Sequence, residues 1–390
     1  SGSAGKGTDR DGGNAGAISL DATSATPTIT LGGSLIASGG ARTNNGTGGS
    51  GGAISVADDA TVTGNFAATS TRGTGGLADG NQSFAAIDGD VAGRTIALNA
   101  GTGGTLSVGT IGGNNPVGTT TLTGSAISHS SVTTATGGIT IAGAATLSSD
   151  THVSAGTGTV SYASTLDAGS HNLTVTADEI DFGGDVSGTG ALTLQQQNVS
   201  LAMAIANASA ANNRLDITAA ELARLQDGFE SLTFGRTDGT STVTLSAATF
   251  NDATNVRAGT GGTIAMAGSL TTNGDALSLM GDTVISSGQS PNVATNGGNI
   301  AFGGSISGTA GGAAENLTLA AGTGTIAISG DVSGLGTLSL DNSGGTTAGG
   351  AINVTTLSLA NSGGLVRLDG AVQASNLNTA AQNFTLNLNG

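Results

Sequence analysis

The groups able to do chemistry in this chain are its acids and its histidines. There are 26 Asp and Glu residues and three histidines, and no cysteine. The acids fall at Asp58-Asp59, at Asp88 and Asp90, at Asp178-Glu179 with Asp181, and singly at Asp185 and Asp331. In an extended segment Glu179 and Asp181 share one face while Asp178 points the other way. Two carboxylates on one face are what a glycosidase needs. The expected role is plainer: solvated acids at the corners of a β structure, with a glycosidase or cation site as the alternative. His129, His152 and His171 are separated by 23 and 19 residues. A metal would need them at matching positions with carboxylates beside them. Their contexts differ, Asp150-Thr151-His152-Val153 against Gly169-Ser170-His171-Asn172, so surface histidines are expected.

Other site patterns fail one by one. No H-E-x-x-H or P-loop occurs, and C-x-x-C is impossible without cysteine. Glycine phrases match G-x-G loosely, but no helix follows them to receive a phosphate. The calcium-binding repeat G-G-x-G-x-D is not completed by Gly12-Gly13-Asn14-Ala15-Gly16 or by Gly183-Gly184-Asp185-Val186. Tyr162 is the one tyrosine, there is no tryptophan, and Phe182, Phe234 and Phe302 sit at strand positions suited to a core. No lectin groove, catalytic residue, metal site or cofactor is therefore expected.

What would position these groups is legible in composition. Glycine takes 70 of 390 positions, proline three, and charged residues 9%. The net charge of −16 argues against a nucleic-acid partner, which calls for a basic stripe. No run of about 18 apolar residues is present to span a membrane as a helix. No signal peptide opens the chain, and its first residue is not Met, which points to a processed protein or a fragment of a longer one.

The chain repeats itself. Ala100-Gly101-Thr102-Gly103-Gly104-Thr105-Leu106 returns as Ala155-Gly156-Thr157-Gly158-Thr159-Val160, as Ala258-Gly259-Thr260-Gly261-Gly262-Thr263-Ile264, and as Ala321-Gly322-Thr323-Gly324-Thr325-Ile326. Gly184-Asp185-Val186-Ser187-Gly188 has a near copy in Gly330-Asp331-Val332-Ser333-Gly334. Between them lie short runs such as Ile139-Thr140-Ile141, Leu173-Thr174-Val175 and Leu277-Ser278-Leu279. Apolar and hydroxyl residues alternate at period two, the pattern of half-buried strands, and Gly, Asn, Asp and Ser supply the turns. Rungs of roughly 20 residues fit an all-β parallel β-helix of about 18 turns, a rod just under ~90 Å. A β-sandwich would need longer strands and a bulkier aromatic core than 2% aromatics provide.

Two segments depart from the pattern. Residues 39–52 are glycine-rich and read as a surface loop between rungs. The run from Ile217 to Phe229 reads as a short helix near 218–227. Thr218 and Glu221 make a capping box, Ile217 and Leu222 a hydrophobic staple, and Gly228 a stop. Leu222, Leu225 and Phe229 share one face. They are expected to cover an apolar patch of the rod, with a lateral docking or capping role as the functional alternative. The chain thus divides into glycine-rich rungs and loop at 1–52, rungs at 53–211, a helix-bearing insertion at 212–236, and rungs at 237–390, in one continuous solenoid.

The run Leu173-Thr174-Val175-Thr176-Ala177-Asp178-Glu179-Ile180-Asp181-Phe182 resembles segments of the large secreted repeat proteins related to filamentous haemagglutinin. So do Leu215 to Phe229, Ser231-Leu232-Thr233-Phe234-Gly235-Arg236 and the Ala-Gly-Thr-Gly phrases. The resemblance covers most of residues 95–370. It implies a right-handed parallel β-helix, export to a bacterial surface, and work in adhesion or surface fibres. The secretion domain that opens such proteins is not evident. The expected function is a stalk or fibre segment of an extracellular adhesin, not an enzyme. Its partners would be host-surface or matrix components, or itself by end-to-end or lateral assembly. A filament subunit that stacks end to end is the alternative, and a polysaccharide-acting β-helix enzyme a lesser one.

Overall fold

A computed structural model describes residues 2–3, 8–22, 28–207, 213–309, 315–379 and 383–390. Strand makes up 51% and helix 1% of it, in about 14 turns of parallel β-solenoid with rungs of about 21 residues. That is fewer turns than the ~18 expected from a uniform repeat of roughly 20 residues. The reason is that some turns are longer: at the N-terminal end hydrogen bonds between successive turns, such as Ser50 N–H to Asn14 Oδ1, span 36 residues, and the helix-bearing turn of the second unit separates the paired residues Ala191 and Ser231 by 40. Elsewhere the spacing is shorter, 24 at Thr105 and Asn81 and 20 at Ala351 and Asp331. The chain forms two compact units, Ser1–Gly190 and Ala191–Gly390.

In the first unit one sheet runs through Ile18–Leu20, Ile54–Val56, Gln82–Phe84, Thr105–Val108, Thr120–His129, Ile139–Leu147, Thr159–Tyr162 and Glu179–Phe182. All of its pairings are parallel, for example Ile54 beside Gln82 and Leu106 beside Ile127, and the register shifts once, between Thr123 and Ala126. Alternation does what the sequence requires. Ile54 and Val56 are buried while Ser55 between them is half-buried. Outward positions form a column Ser19, Ser55, Ser83, Ser107, Ser128, Thr146, all but the last of them serine.

Residues 39–52 are a surface loop only in part, with Ala41, Arg42, Asn44, Asn45 and Thr47 exposed. Gly40, Gly46, Gly48, Gly49 and Gly52 are buried, and their backbones pack on one another. Gly40 N–H donates to Gly13 O at 2.8 Å, Gly49 N–H to Gly40 O at 2.8 Å, and Gly73 N–H to Gly49 O at 2.9 Å. A Cβ on Gly49 would stand 1.9 Å from the Gly13 oxygen. Glycine is required there by close approach of peptide to peptide, and the hydrogen bonds satisfy the groups this buries. Buried Gln82 closes the edge of this layer, its Nε2 donating to the Ala68 and Asn99 carbonyls and to Ser70 Oγ.

In the second unit one sheet runs through Ala191–Gln196, Ser231–Gly235, Thr254–Arg257, Leu277–Met280, Ile300–Phe302, Thr325–Ile328, Gly345–Ala348, Gly364–Leu368 and Phe384–Leu388. Leu277, Ile300 and Ile326 lie over one another as an inward column and are buried. Each such side chain contributes roughly 1.5–3 kcal/mol. The helix is Ala219–Leu222, with Thr218 and Glu221 forming the capping box. It ends sooner than the 218–227 read from sequence, in a turn that brings Leu225 and Phe229 back onto the solenoid. It packs on the strands Ala202–Asn207 and Arg214–Thr218.

Candidate functional site

Several of the acids sit at corners, where the carboxylate holds backbone. Asp59 Oδ1 accepts from Ala86 N–H at 3.2 Å, and Asp88 Oδ1 from Asn114 N–H at 3.0 Å. Asp150 Oδ1 accepts from Asn172 N–H at 3.0 Å, Asp282 Oδ1 from Ser305 N–H at 2.8 Å, and Asp331 Oδ1 from Ala351 N–H at 2.8 Å. Asn65, Asn81 and Asn299 do the same with their carboxamide oxygens. Each bond joins one turn of the solenoid to the next at a place where the strand ladder is interrupted. These N–H donors lower the pKa of Asp150 and Asp282, because they stabilise the ionised form. The sequence signal for this role is an Asp or Asn placed just before or just after a strand, one repeat away from a turn residue.

Glu179 and Asp181 do lie on one face, the outward side of the strand Glu179–Phe182, with Ile180 and Phe182 inward. Desolvation raises the pKa of Asp181. The pair stands on a sheet face, in register with Thr159 and Ser161.

The three histidines are dispersed. His129 is fully buried at an inward position of the strand Thr120–His129. His152 points outward from Thr151–Ser154, with Nε2 3.0 Å from Thr176 Oγ1. His171 lies in a turn, with Nδ1 3.7 Å from Asp150 Oδ1. Burial lowers the pKa of both His129 and His152. Among the described residues no group of three or more His, Asp or Glu is disposed to hold a metal ion.

His129 is held by an arrangement that sequence reasoning, which placed it at the surface, did not find. Its Nδ1 lies 2.7 Å from the Ser130 carbonyl oxygen, which can only accept, so Nδ1 carries the proton. Nε2 then faces the Tyr162 hydroxyl at 3.3 Å as an acceptor. The Tyr162 ring stacks on Phe182 with centroids 6.0 Å apart. Burial pushes the Tyr162 phenol well above its ordinary value.

Leu222, Leu225 and Phe229 are all buried, so the face they form is turned toward the solenoid. Asp252 secures the turn after the helix, Oδ1 accepting from Gly228 N–H at 2.8 Å. Desolvation raises its pKa, with Asp227 and Asp275 adding repulsion. Asp216, fully buried in the neighbouring strand, is paired with Arg214 Nε at 2.8 Å and Asn207 Nδ2 at 2.5 Å.

An open groove of about 520 Å³ runs across three successive rungs of the second unit. Leu335 and Val354 form its floor, and Asn353, Thr355, Gln373 and Ser375 its walls. It follows the bulge where the register shifts between Ser333 and Leu335. None of its lining residues is ionisable.

Compared with known families, curated proteins and solved structures, the chain finds no match. The fold stands on its own geometry as a parallel β-solenoid repeat protein. No helix among the described residues is long and apolar enough to cross a membrane.

Proposed function

We propose that this chain is a structural segment, a stalk or fibre, of a secreted bacterial surface adhesin of the filamentous haemagglutinin type. Its product is shape. The observation that carries the reading is the fate of the acids. In the sequence they were the candidates for chemistry; at Asp59, Asp88, Asp150, Asp282 and Asp331 the carboxylate ties one turn to the next. A backbone paired rung to rung, with corners stapled by side chains, leaves few extended peptides for a protease to bind. That property suits an extracellular location without disulfides. The partners of such a segment are host-surface or matrix components displayed against by the protein that carries it.

Digestion by proteinase K tests the reading. Cleavage is expected to stop at turn tips and leave large resistant cores, and rapid conversion to short peptides would sink it. The enzymatic alternative has its own readout, depletion of a panel of acidic polysaccharides. No depletion is expected, and depletion abolished by Glu179→Gln would replace the stalk with a hydrolase.

A further inference from the structure

The turn that follows the helix is held to the next rung by two adjacent side chains. Asn251 Nδ2 donates to the Leu225 carbonyl at 2.9 Å, and Asp252 Oδ1 accepts from Gly228 N–H at 2.8 Å. Together they grip both ends of residues 225–228, and the strand ladder restarts where Leu232 N–H donates to Ala253 O. Leu225 and Phe229 are thereby kept buried, at 1% and 5% exposure. Asp252 is itself only 4% exposed, and Thr254 Oγ1 fixes its backbone by donating to the Asp252 carbonyl at 2.9 Å. Its second carboxylate oxygen is left over: Oδ2 is buried and has no hydrogen-bond partner among the described residues. An ionised carboxylate oxygen can only accept, and a charge in the interior is costly when it is not fully paired.

Two more acids stand near it. Asp227 precedes Gly228 on the gripped turn. Asp275 lies one rung further on, two residues before Leu277, just as Asp252 lies two residues before Thr254, the strand partner of Leu277. Both repel the Asp252 charge. Arg224 and Glu230 are the other charged residues between the helix and the restarted ladder. Burial is the largest influence on Asp252 and opposes ionisation, as the two neighbouring carboxylates do, while the Gly228 and Phe229 N–H groups favour it. The exposed corner acids Asp150 and Asp282 are placed the other way round, with their N–H partners dominant and the pKa held down.

We propose that Asp252 is a proton-operated clasp on the helix-bearing turn: a proton on Oδ2 tightens it, and loss of that proton loosens the turn that docks Phe229. The proton removes a buried charge and turns the leftover acceptor into a hydroxyl donor, while Oδ1 still accepts from Gly228 N–H. In the opened turn Asp252 is solvated and titrates at the ordinary carboxylate value of about 3.9. The closed form keeps its proton to higher pH. The clasp is therefore at full strength below about pH 3.9 and is weakened as pH rises through the closed-form value. The corner acids with lowered pKa act in the opposite sense, at full strength above about pH 3.9 and weakened as pH falls. The inference stands independently of the adhesin reading.

Hydrogen exchange of the whole chain, read by mass spectrometry from about pH 4 to about pH 7 and divided by the intrinsic rate at each pH, tests it. Protection of residues 223–230 is expected to fall as pH rises, while that of Ser305, held by Asp282, rises. In Asp252→Asn the protection of 223–230 should stay near its acid level throughout, because the amide is a neutral stand-in whose oxygen can still accept from Gly228 N–H. Protection of 223–230 that is flat or rises with pH in the native chain overturns the proposal, and so does an Asp252→Asn variant that keeps the native profile. Should that variant misfold, Asp227→Asn, at an exposed position, gives a second readout. Removing one repelling charge is expected to move the fall in protection to lower pH, and an unmoved midpoint would refute the clasp.

Discussion

The Tyr162 hydroxyl meets Nε2 of His129 at 3.3 Å inside the apolar core of the first unit. With Nδ1 committed to the Ser130 carbonyl, the imidazole is satisfied only while neutral. A proton on Nε2 would turn an acceptor into a donor facing a hydroxyl that must then rotate, and would bury a charge.

Acid should therefore loosen this unit. The folded pKa of His129 is depressed by burial, and the unfolded value is about 6.5. Above about pH 6.5 both states are neutral and the full stability is present. As pH falls through about 6.5 the unfolded state takes up the proton first, and stability declines until the folded pKa is reached. Urea midpoints measured from pH 8 to pH 5 should fall for the native protein and fall less for His129→Leu. Parallel curves would show that His129 is not the titrating group.

Tyr162→Phe keeps the ring on Phe182 and removes the partner of Nε2. A buried acceptor left unsatisfied costs about 1–3 kcal/mol. Loss of that size in the urea midpoint, with unchanged far-ultraviolet dichroism, is the expected outcome. An unchanged midpoint would mean that the 3.3 Å contact contributes nothing.

Ile326 lies between Ile300 and Thr346 in an inward column of the second unit and is 1% exposed. Ile326→Asp buries an unpaired carboxylate. Losses of more than about 3 kcal/mol are expected, enough to be seen as a large drop in melting temperature or as failure to express. A variant that melts with the native protein would overturn the inward assignment.

The glycine layer gives a paired test. Gly49→Ala places a methyl 1.9 Å from the Gly13 oxygen, and backbone cannot move aside cheaply. Gly16 has nothing within 4 Å of the same position. The first substitution is expected to destabilise the N-terminal turns by a few kcal/mol, and the second to fall within about ±0.5 kcal/mol. Hydrogen exchange of residues 39–52 reads the difference, and equal protection in the two variants would remove the close-packing argument.

Much of the fold was legible in the chain. Leu277-Ser278-Leu279 and Ile326-Ala327-Ile328 announce strands because period two is a local property. The repeat of Ala-Gly-Thr-Gly announces stacking because each copy must lie over the last. The capping box at Thr218 and Glu221 was readable for the same reason: it spans three residues. The site was less legible. Nothing near His129 in sequence distinguishes it from His152, yet one is in the core and the other faces outward. The glycines of residues 39–52 look like a loop because glycine is permissive, and the same residue type is demanded when peptides touch.

The sequence by itself determined the parallel solenoid, its approximate pitch, the inward columns and the place of the helix. These follow from periodicities of two and of roughly twenty, which need no knowledge of distant neighbours. Tertiary structure alone decided that corner acids bind backbone N–H groups one turn away, that glycine forms a buried layer, and that His129 pairs with Tyr162. The partners of the acids and of His129 lie 20 to 36 residues away in the chain. Turn lengths vary from rung to rung, so which residues meet is fixed only when the rungs stack.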